Sequence, residues 1–478
     1  MNKRNKTLIL NMVFFGLVTV LSKGVGYLLL PIFTSYMSTA DYGIADLLVS
    51  TVNMLYPITA LGMGAAILRF TASGIEDRKI VFSSALRVIC FTSVIPVLFI
   101  PIIVKHTGIP EMYVWYVPLE MFFVNLVAIM ASLCKGINKT KYFLIQSVVK
   151  AGVLLLSAYV TLKIYNMGIV GYMLSYLLAD VVSVIVFILS INISQYISLH
   201  IEKAIWLSYR NRLIKYGAPL VPNSMSAWVV QMSDRYMVAY WCGASVNGLY
   251  AVAYKIPSII KVLTSTFISA WQLNVIYEAD KKDSEDYFNR VKGIYSATCF
   301  MVAGLILIFV RALARLLFSK DFYEAWRFVP LLVLAMVLDL LAEYLGTYFF
   351  AKDRTGTLFF STLLGAVVNI VLNLLLIPRY GAWGATIATV ISTFSMYIHR
   401  GIVIKRNMGW KSFTFRDIIG ICLLGSLCIA YSVNALFGVV LSTSFTVLFI
   451  IAFIDELKLI IGVFARIIRK TLLGKEKE

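Results

Sequence analysis

Charged side chains are scarce in this chain: they fill 14% of its 478 positions against 60% apolar residues, too few to clothe a water-facing surface of ordinary charge density. Lipid is the solvent that such a composition fits. Acids are the scarcer sign, 24 against 43 Lys and Arg, for a formal net charge of +19. In a soluble protein that excess would point to nucleic acid. Here the cations sit in the joints between apolar stretches, and no nucleic-acid partner is expected. The six cysteines lie in or beside those stretches with no CxxC and no paired spacing, which excludes a disulfide framework and leaves them as small apolar residues. The three histidines, His106, His200 and His399, are isolated, and no HExxH or His/Cys cluster occurs, so no metal site is expected. No GxxxxGKS/T phosphate loop is present, which removes ATP hydrolysis within the chain, and the outer joints are too short for a catalytic domain. The expectation is a protein that moves a solute or lipid, not an enzyme, and one without a cofactor.

What the chain has in abundance is long apolar runs. A 19-residue window divides almost all of it into 14 stretches of about 20 residues, the first centred near Val18 and the last near Leu448. This predicts an all-α polytopic membrane protein of about 14 transmembrane helices. With Lys3, Arg4 and Lys6 in the cytoplasm, cytoplasmic joints and tails hold 30 Lys and Arg, the outer joints hold seven, and six lie within spans. The opposite orientation breaks the positive-inside rule at nearly every joint, so both termini are expected in the cytoplasm. The outer joint with Arg311, Arg315, Lys320 and Arg327 is the exception, unless some of these snorkel from helix ends.

The first six spans are echoed by the next six. Ser38-Thr39-Ala40-Asp41-Tyr42-Gly43 enters span two and Gly243-Ala244-Ser245-Val246-Asn247-Gly248 enters span eight, an offset of 205. Gly168-Ile169-Val170-Gly171 opens span six and Gly381-Ala382-Trp383-Gly384 opens span twelve, an offset of 213. Small residues also recur wherever helices pack closely in lipid, but the shared order, sidedness and offset favour duplication. An even number of spans per unit makes the repeat parallel, which suits two lobes rocking about a central cavity. The expected domains are an N-terminal six-helix lobe (1–200), a second six-helix lobe (201–406), and two further helices with a basic amphipathic cytoplasmic tail (407–478). The tail, Ile460 to Lys470, is expected to lie on the inner leaflet.

Ionisable residues inside spans cost roughly 2.5 to 3.5 kcal/mol each on insertion scales, so each asks for a reason. The cations are Lys23, Arg87 and Lys150 in the first lobe and Arg235, Lys255 and Lys261 in the second. The acids are Asp46, Glu120 and Asp180, then Asp234, Asp339 and Glu343. Counting residues from helix ends places Lys23 and Lys261 near mid-depth. A ladder of Lys23, Arg87, Lys150, Lys261 and Lys255 would hold an anionic substrate at successive depths; the plainer reading is that each cation pairs with an acid and staples two helices. Lys23 leads, because Gly24 and Gly26 beside it leave room for a large ligand. Asp339 and Glu343 share one helical face, where two carboxylates could form a Na+ or H+ coupling site or neutralise a lysine from another helix. Asp180 is a further coupling or charge-balancing candidate, and Asp234-Arg235 reads as a gate or structural pair. Pro219, Pro222 and Asn223 predict either a bent, locally unwound helix or prolines in an ordinary first turn.

Tyr27-Leu28-Leu29-Leu30-Pro31-Ile32-Phe33-Thr34, followed by Ala40-Asp41-Tyr42-Gly43-Ile44-Ala45-Asp46, resembles the entry of polysaccharide-biosynthesis (Wzx-type) flippases. Tyr216-Gly217-Ala218-Pro219-Leu220-Val221-Pro222, then Ser233-Asp234-Arg235-Tyr236 and Asn247-Gly248-Leu249-Tyr250, is similar to the start of their second half. The resemblance covers most of residues 8 to 405. It implies the multidrug/oligosaccharidyl-lipid/polysaccharide exporter superfamily and alternating-access transport of an undecaprenyl-pyrophosphate-linked oligosaccharide across a bacterial inner membrane. Membrane lipids, a glycan polymerase and glycosyltransferases are the implied partners. A lipid II flippase, a drug/cation antiporter of the same superfamily, and a membrane glycan polymerase or ligase are the alternatives.

Overall fold

The computed structural model describes residues 24–452, apart from 73–76, 108, 199, 279–283, 353, 411 and 434. Lys23 and the amphipathic tail lie outside the described residues. In lipid an apolar run can satisfy its backbone only internally, and every regular element among the described residues is helical. The order is α1 (Gly24–Tyr36), α2 (Thr39–Ala60), α3 (Met63–Ala72), α4 (Arg78–Thr92), α5 (Ile95–Thr107), α6 (Glu111–Val114), α7 (Tyr116–Gly136), α8 (Thr140–Ala158), α9 (Gly168–Ile191) and α10 (Lys203–Gly217). It continues with α11 (Val221–Cys242), α12 (Ala244–Ala253), α13 (Lys255–Glu278), α14 (Ser284–Ile308), α15 (Val310–Leu317), α16 (Val329–Ala351), α17 (Thr355–Tyr380), α18 (Ala382–Met408), α19 (Phe415–Val433) and α20 (Ala435–Ala452).

Nine helices or contiguous runs among the described residues are long and apolar enough to cross a membrane, with shorter apolar helices beside them. Helices α11 and α13 are less apolar because they carry Asp234, Arg235, Lys255 and Lys261. Taking α2–α3, α4–α5, α6–α7, α12–α13 and α14–α15 as broken single crossings, and α10 as a connector, yields fourteen crossings among the described residues, the number the hydropathy pattern predicts. The chain is a multi-pass membrane protein.

Local chemistry starts and stops these helices. Ser38 Oγ accepts from the Asp41 amide at 3.0 Å to open α2, and Asp77 accepts from the Lys79 amide at 2.8 Å to open α4. Asn192 ends α9 at φ 51°, its amide donating to Ile188 O. The α2–α3 break places Leu61 and Gly62 at φ 45° and 67°. Glycine is required there sterically as well: a Cβ on Gly62 would stand 2.5 Å from Gly217 O. The prolines before α11 produce a short 3-10 turn, Ala218–Leu220, after which Pro222 occupies the first helical turn, where no hydrogen bond is lost.

The chain forms two compact units. One comprises the described residues of Met1–Val252 with Arg315–Glu324 and Asn369–Ala385; the other comprises those of Ala253–Ala314, Ala325–Val368 and Thr386–Glu478. The first is cored by Met63, Ile67, Phe82, Ile129, Leu133 and Phe187, contributed by α3, α4, α7 and α9. In the second, Trp271 stacks on Tyr344 with ring centroids 5.5 Å apart and planes 10° apart, and its indole N–H donates to Thr347 at 3.1 Å. Helix α19 is fastened to α14 within this unit. Thr414 and Asp417 form a reciprocal capping box: the Asp417 amide donates to Thr414 Oγ1 at 3.2 Å and the Thr414 amide to Asp417 Oδ2 at 3.1 Å. Lys292, completely buried, donates to the same carboxylate at 2.6 Å and to Ser412 O.

Candidate functional site

Six of the described intramembrane charges form three ion pairs of two kinds. In the first unit, Arg235 on α11 meets Asp46 on α2 at 2.5 Å, with the two side chains 8% and 7% exposed. This pair is sealed. Lys150 on α8 meets Asp180 on α9, but here the lysine side chain is 34% exposed while the aspartate is 2% exposed. Beside them on α7, Glu120 is buried and within hydrogen-bonding reach of both Asp180 and Tyr116. In the second unit, Lys261 on α13 donates to Asp339 on α16 at 3.1 Å, again with the lysine 34% exposed and its acid 17%.

That difference in exposure matters chemically. Exchanging a sealed partner strands a charge in low dielectric, at a cost of several kcal/mol. A lysine one-third exposed beside its acid can turn toward an arriving anion without first breaking a sealed pair. Lys150 and Lys261 thus differ from Arg235 in keeping part of the side chain uncovered. Arg87 on α4 and Lys255, the first residue of α13, are half-buried. Asp339 is taken up by Lys261, and Glu343, one turn further along α16, acts electrostatically on Lys261 and Arg400. The two acids thus face two cations. Asp234 is buried and accepts from the Tyr250 hydroxyl at 2.5 Å, while its neighbour Arg235 turns to Asp46, so the adjacent residues serve different partners.

The two copies of the span-entry motif touch each other inside the first unit. Asn247 Nδ2 donates to Gly43 O at 3.0 Å, and the Thr39 and Ser245 hydroxyls are 2.5 Å apart. A Cβ on Gly43 would collide with Ala244 O, and one on Gly248 with Thr39 O. Both glycines are therefore backbone-contact residues at the meeting of α2 and α12.

Two further cations, Arg400 and Lys292, fall among the joints by sequence position and are buried in the structure. Arg400 is 5% exposed and donates to Ser361 Oγ at 2.9 Å, Ala342 O at 2.6 Å and Thr362 Oγ1 at 3.0 Å, which ties α18 to α16 and α17. A signal existed: Ile402, Val403 and Ile404 follow it, an apolar turn beyond the cation. Likewise Phe288, Lys292 and Tyr295 fall on one face of α14, and both aromatics are buried. Among the described residues no group of three or more His, Cys, Asp or Glu could hold a metal ion.

The family model described as "Polysaccharide biosynthesis protein" matches residues 8–272, and the one described as "Lipid II flippase MurJ" matches residues 319–454. The probable low-salt glycan biosynthesis flippase Agl15 of Haloferax volcanii is 21% identical over 275 residues, covering 53% of this chain and 57% of the relative. The chain thus spans little more than half of that relative's length. The uncharacterized membrane protein MJ1375 of Methanocaldococcus jannaschii is 24% identical over 395 residues, 79% of this chain and 93% of the relative. Among solved structures, the lipid II flippase MurJ in its inward closed conformation is similar with a TM-score of 0.73 at 15% identity, covering 93% of this chain and all of the other. That likeness is one of fold.

Proposed function

This chain belongs to the polysaccharide biosynthesis protein family, and from that premise we propose that it is a flippase carrying a polyprenyl-pyrophosphate-linked glycan from the inner to the outer leaflet by alternating access. The carrier we assign is undecaprenyl, the membrane a bacterial inner membrane, and both termini cytoplasmic, as the distribution of Lys and Arg favours. The observation that carries the site is the exposure of Lys150 beside buried Asp180 and of Lys261 beside half-buried Asp339. In this reading each ammonium group is a separate candidate contact for the anionic head group, with Lys23, Arg87 and Lys255 as further candidates, and the polyprenyl tail stays in lipid. No covalent step is assigned to the chain. A glycan polymerase and glycosyltransferases are its partners in this reading.

The energetics favour the direction. A pyrophosphate carrying about two negative charges gains roughly 4 to 5 kcal/mol on moving outward across a membrane whose interior-negative potential is about 100 mV. The test is transfer of a polyprenyl-pyrophosphate oligosaccharide in proteoliposomes, read by its accessibility to an impermeant glycosidase. A charge-assisted hydrogen bond contributes about 1.5 to 3 kcal/mol, so Lys150→Gln and Lys261→Gln should each slow transfer by about tenfold or more at unchanged protein content. Wild-type rates in both variants would remove the lysines from the site. The match of residues 319–454 to the lipid II flippase model favours a second reading, which wins if lipid II moves and the oligosaccharide carrier does not.

A further inference from the structure

Within the first unit, Glu120 and Asp180 project from α7 and α9 into one buried site, where they are 3% and 1% exposed. The groups facing them are Tyr116 on α7, Lys150 on α8, and Tyr172 and Tyr176 on α9, with Tyr42 and Asp46 on α2 beyond the tyrosines. Asp46 is already balanced by Arg235 from α11. Lys150 therefore stands as the cation for two carboxyl groups, and its ammonium is engaged by Asp180. Glu120 Oε2 is buried with no hydrogen-bond donor. Two acceptors thus lie within hydrogen-bonding reach of each other, and both carboxyl groups are almost wholly covered by protein.

Leaving both groups charged carries a large desolvation cost, whereas one proton removes a charge and supplies a donor between the two carboxyl groups. A metal cation is the poorer occupant, because the Lys150 ammonium already fills the position beside Asp180. We propose that Glu120 and Asp180 form a single-proton binding site, with the proton on the pair and Lys150 balancing the remaining charge. In the sequence Asp180 stands out as a coupling or charge-balancing candidate and Glu120 has no assigned role; the pair exists only because α7 and α9 pack side by side.

The site is also where a proton gradient can enter the transport cycle, an extension that rests on the flippase reading, as the bound proton itself does not. An anion that draws Lys150 away leaves the pair short of a cation and promotes uptake of a second proton.

The test is infrared spectroscopy of the full-length protein in vesicles near neutral pH, without substrate. The wild-type minus Glu120→Gln difference should contain the carbonyl band of one protonated carboxylic acid. Lys150→Met, which leaves both acids without a cation, should strengthen that band about twofold. A flat wild-type minus Glu120→Gln difference in the carboxylic-acid region overturns the proposal, as does a band that sodium titrates away. If Glu120→Gln fails to fold, the Lys150→Met comparison decides alone: an unchanged band overturns the site. Because the spectrum is recorded without substrate, it stands or falls separately from the transfer assay.

Discussion

Replacing Arg235 with leucine leaves the Asp46 carboxylate buried without its ion-pair partner in the first unit. The two side chains are 8% and 7% exposed and 2.5 Å apart, and Asp46 Oδ2 already has no donor. Removing one member of such a pair costs about 3 to 5 kcal/mol, because the surviving charge keeps its desolvation penalty and loses its compensation. At about 1.4 kcal/mol per tenfold, that is at least a hundredfold in the folding equilibrium. Removing both members behaves differently: an imperfectly satisfied buried pair replaced by apolar side chains is neutral or stabilising by about 1 to 4 kcal/mol. The expected order of apparent melting temperature in detergent, followed by loss of the monodisperse size-exclusion peak, is therefore Arg235→Leu and Asp46→Leu both below wild type, with the double variant at or above it. Arg235→Lys should fall in between, since an ammonium keeps the charge but not the planar fork. A double variant that loses as much as the two singles combined would refute the reasoning, because the side chains would then be stabilising the fold independently.

The other predictions are more local. Thr39→Cys with Ser245→Cys should cross-link on mild oxidation in membranes, since the two hydroxyls are 2.5 Å apart; adding Gly248→Val, which drives a side chain into Thr39 O, should abolish the cross-link. Two accessible cysteines that never cross-link would contradict the meeting of α2 and α12. Thr414→Ala removes the cap of α19 and should lower stability by about 1 kcal/mol. Lys292→Met should cost more, about 3 to 5 kcal/mol, and the two effects should not add, because both act through Asp417. Strict additivity in a melting-temperature series would show that Asp417 does not join them.

Much of the helical layout was legible because its signals are local. Apolar run length predicts each crossing, and the helix boundaries carry their own chemistry in Ser38, Asp77, Asn192 and the Leu61–Gly62 break. The prolines before α11 illustrate the limit: their residue types allow a bend or an ordinary first turn, and only the packed chain displays the 3-10 turn that precedes the helix. For the site, residue type and depth pick out Lys150, Lys261, Asp180 and Asp339 as charges that need a reason. Arg400 and Lys292 were lost among joint cations because depth along α18 and α14 depends on where those long helices end.

What the sequence by itself determined is the class of solvent, the number of crossings, the bias of cations between alternate joints and the likeness to a transporter family. All of these follow from composition and from a period of a few residues. Which charges meet was decided by tertiary structure alone. Lys150 finds Asp180 across 30 residues, Lys261 finds Asp339 across 78, Lys292 finds Asp417 across 125, and Arg235 finds Asp46 across 189. A rise of about 1.5 Å per residue gives the depth of each charge from local counting. The rotation of each helix and the choice of its neighbour come from the packing of many distant side chains, and these decide whether a lysine is sealed against an acid or left with a face open to an anion.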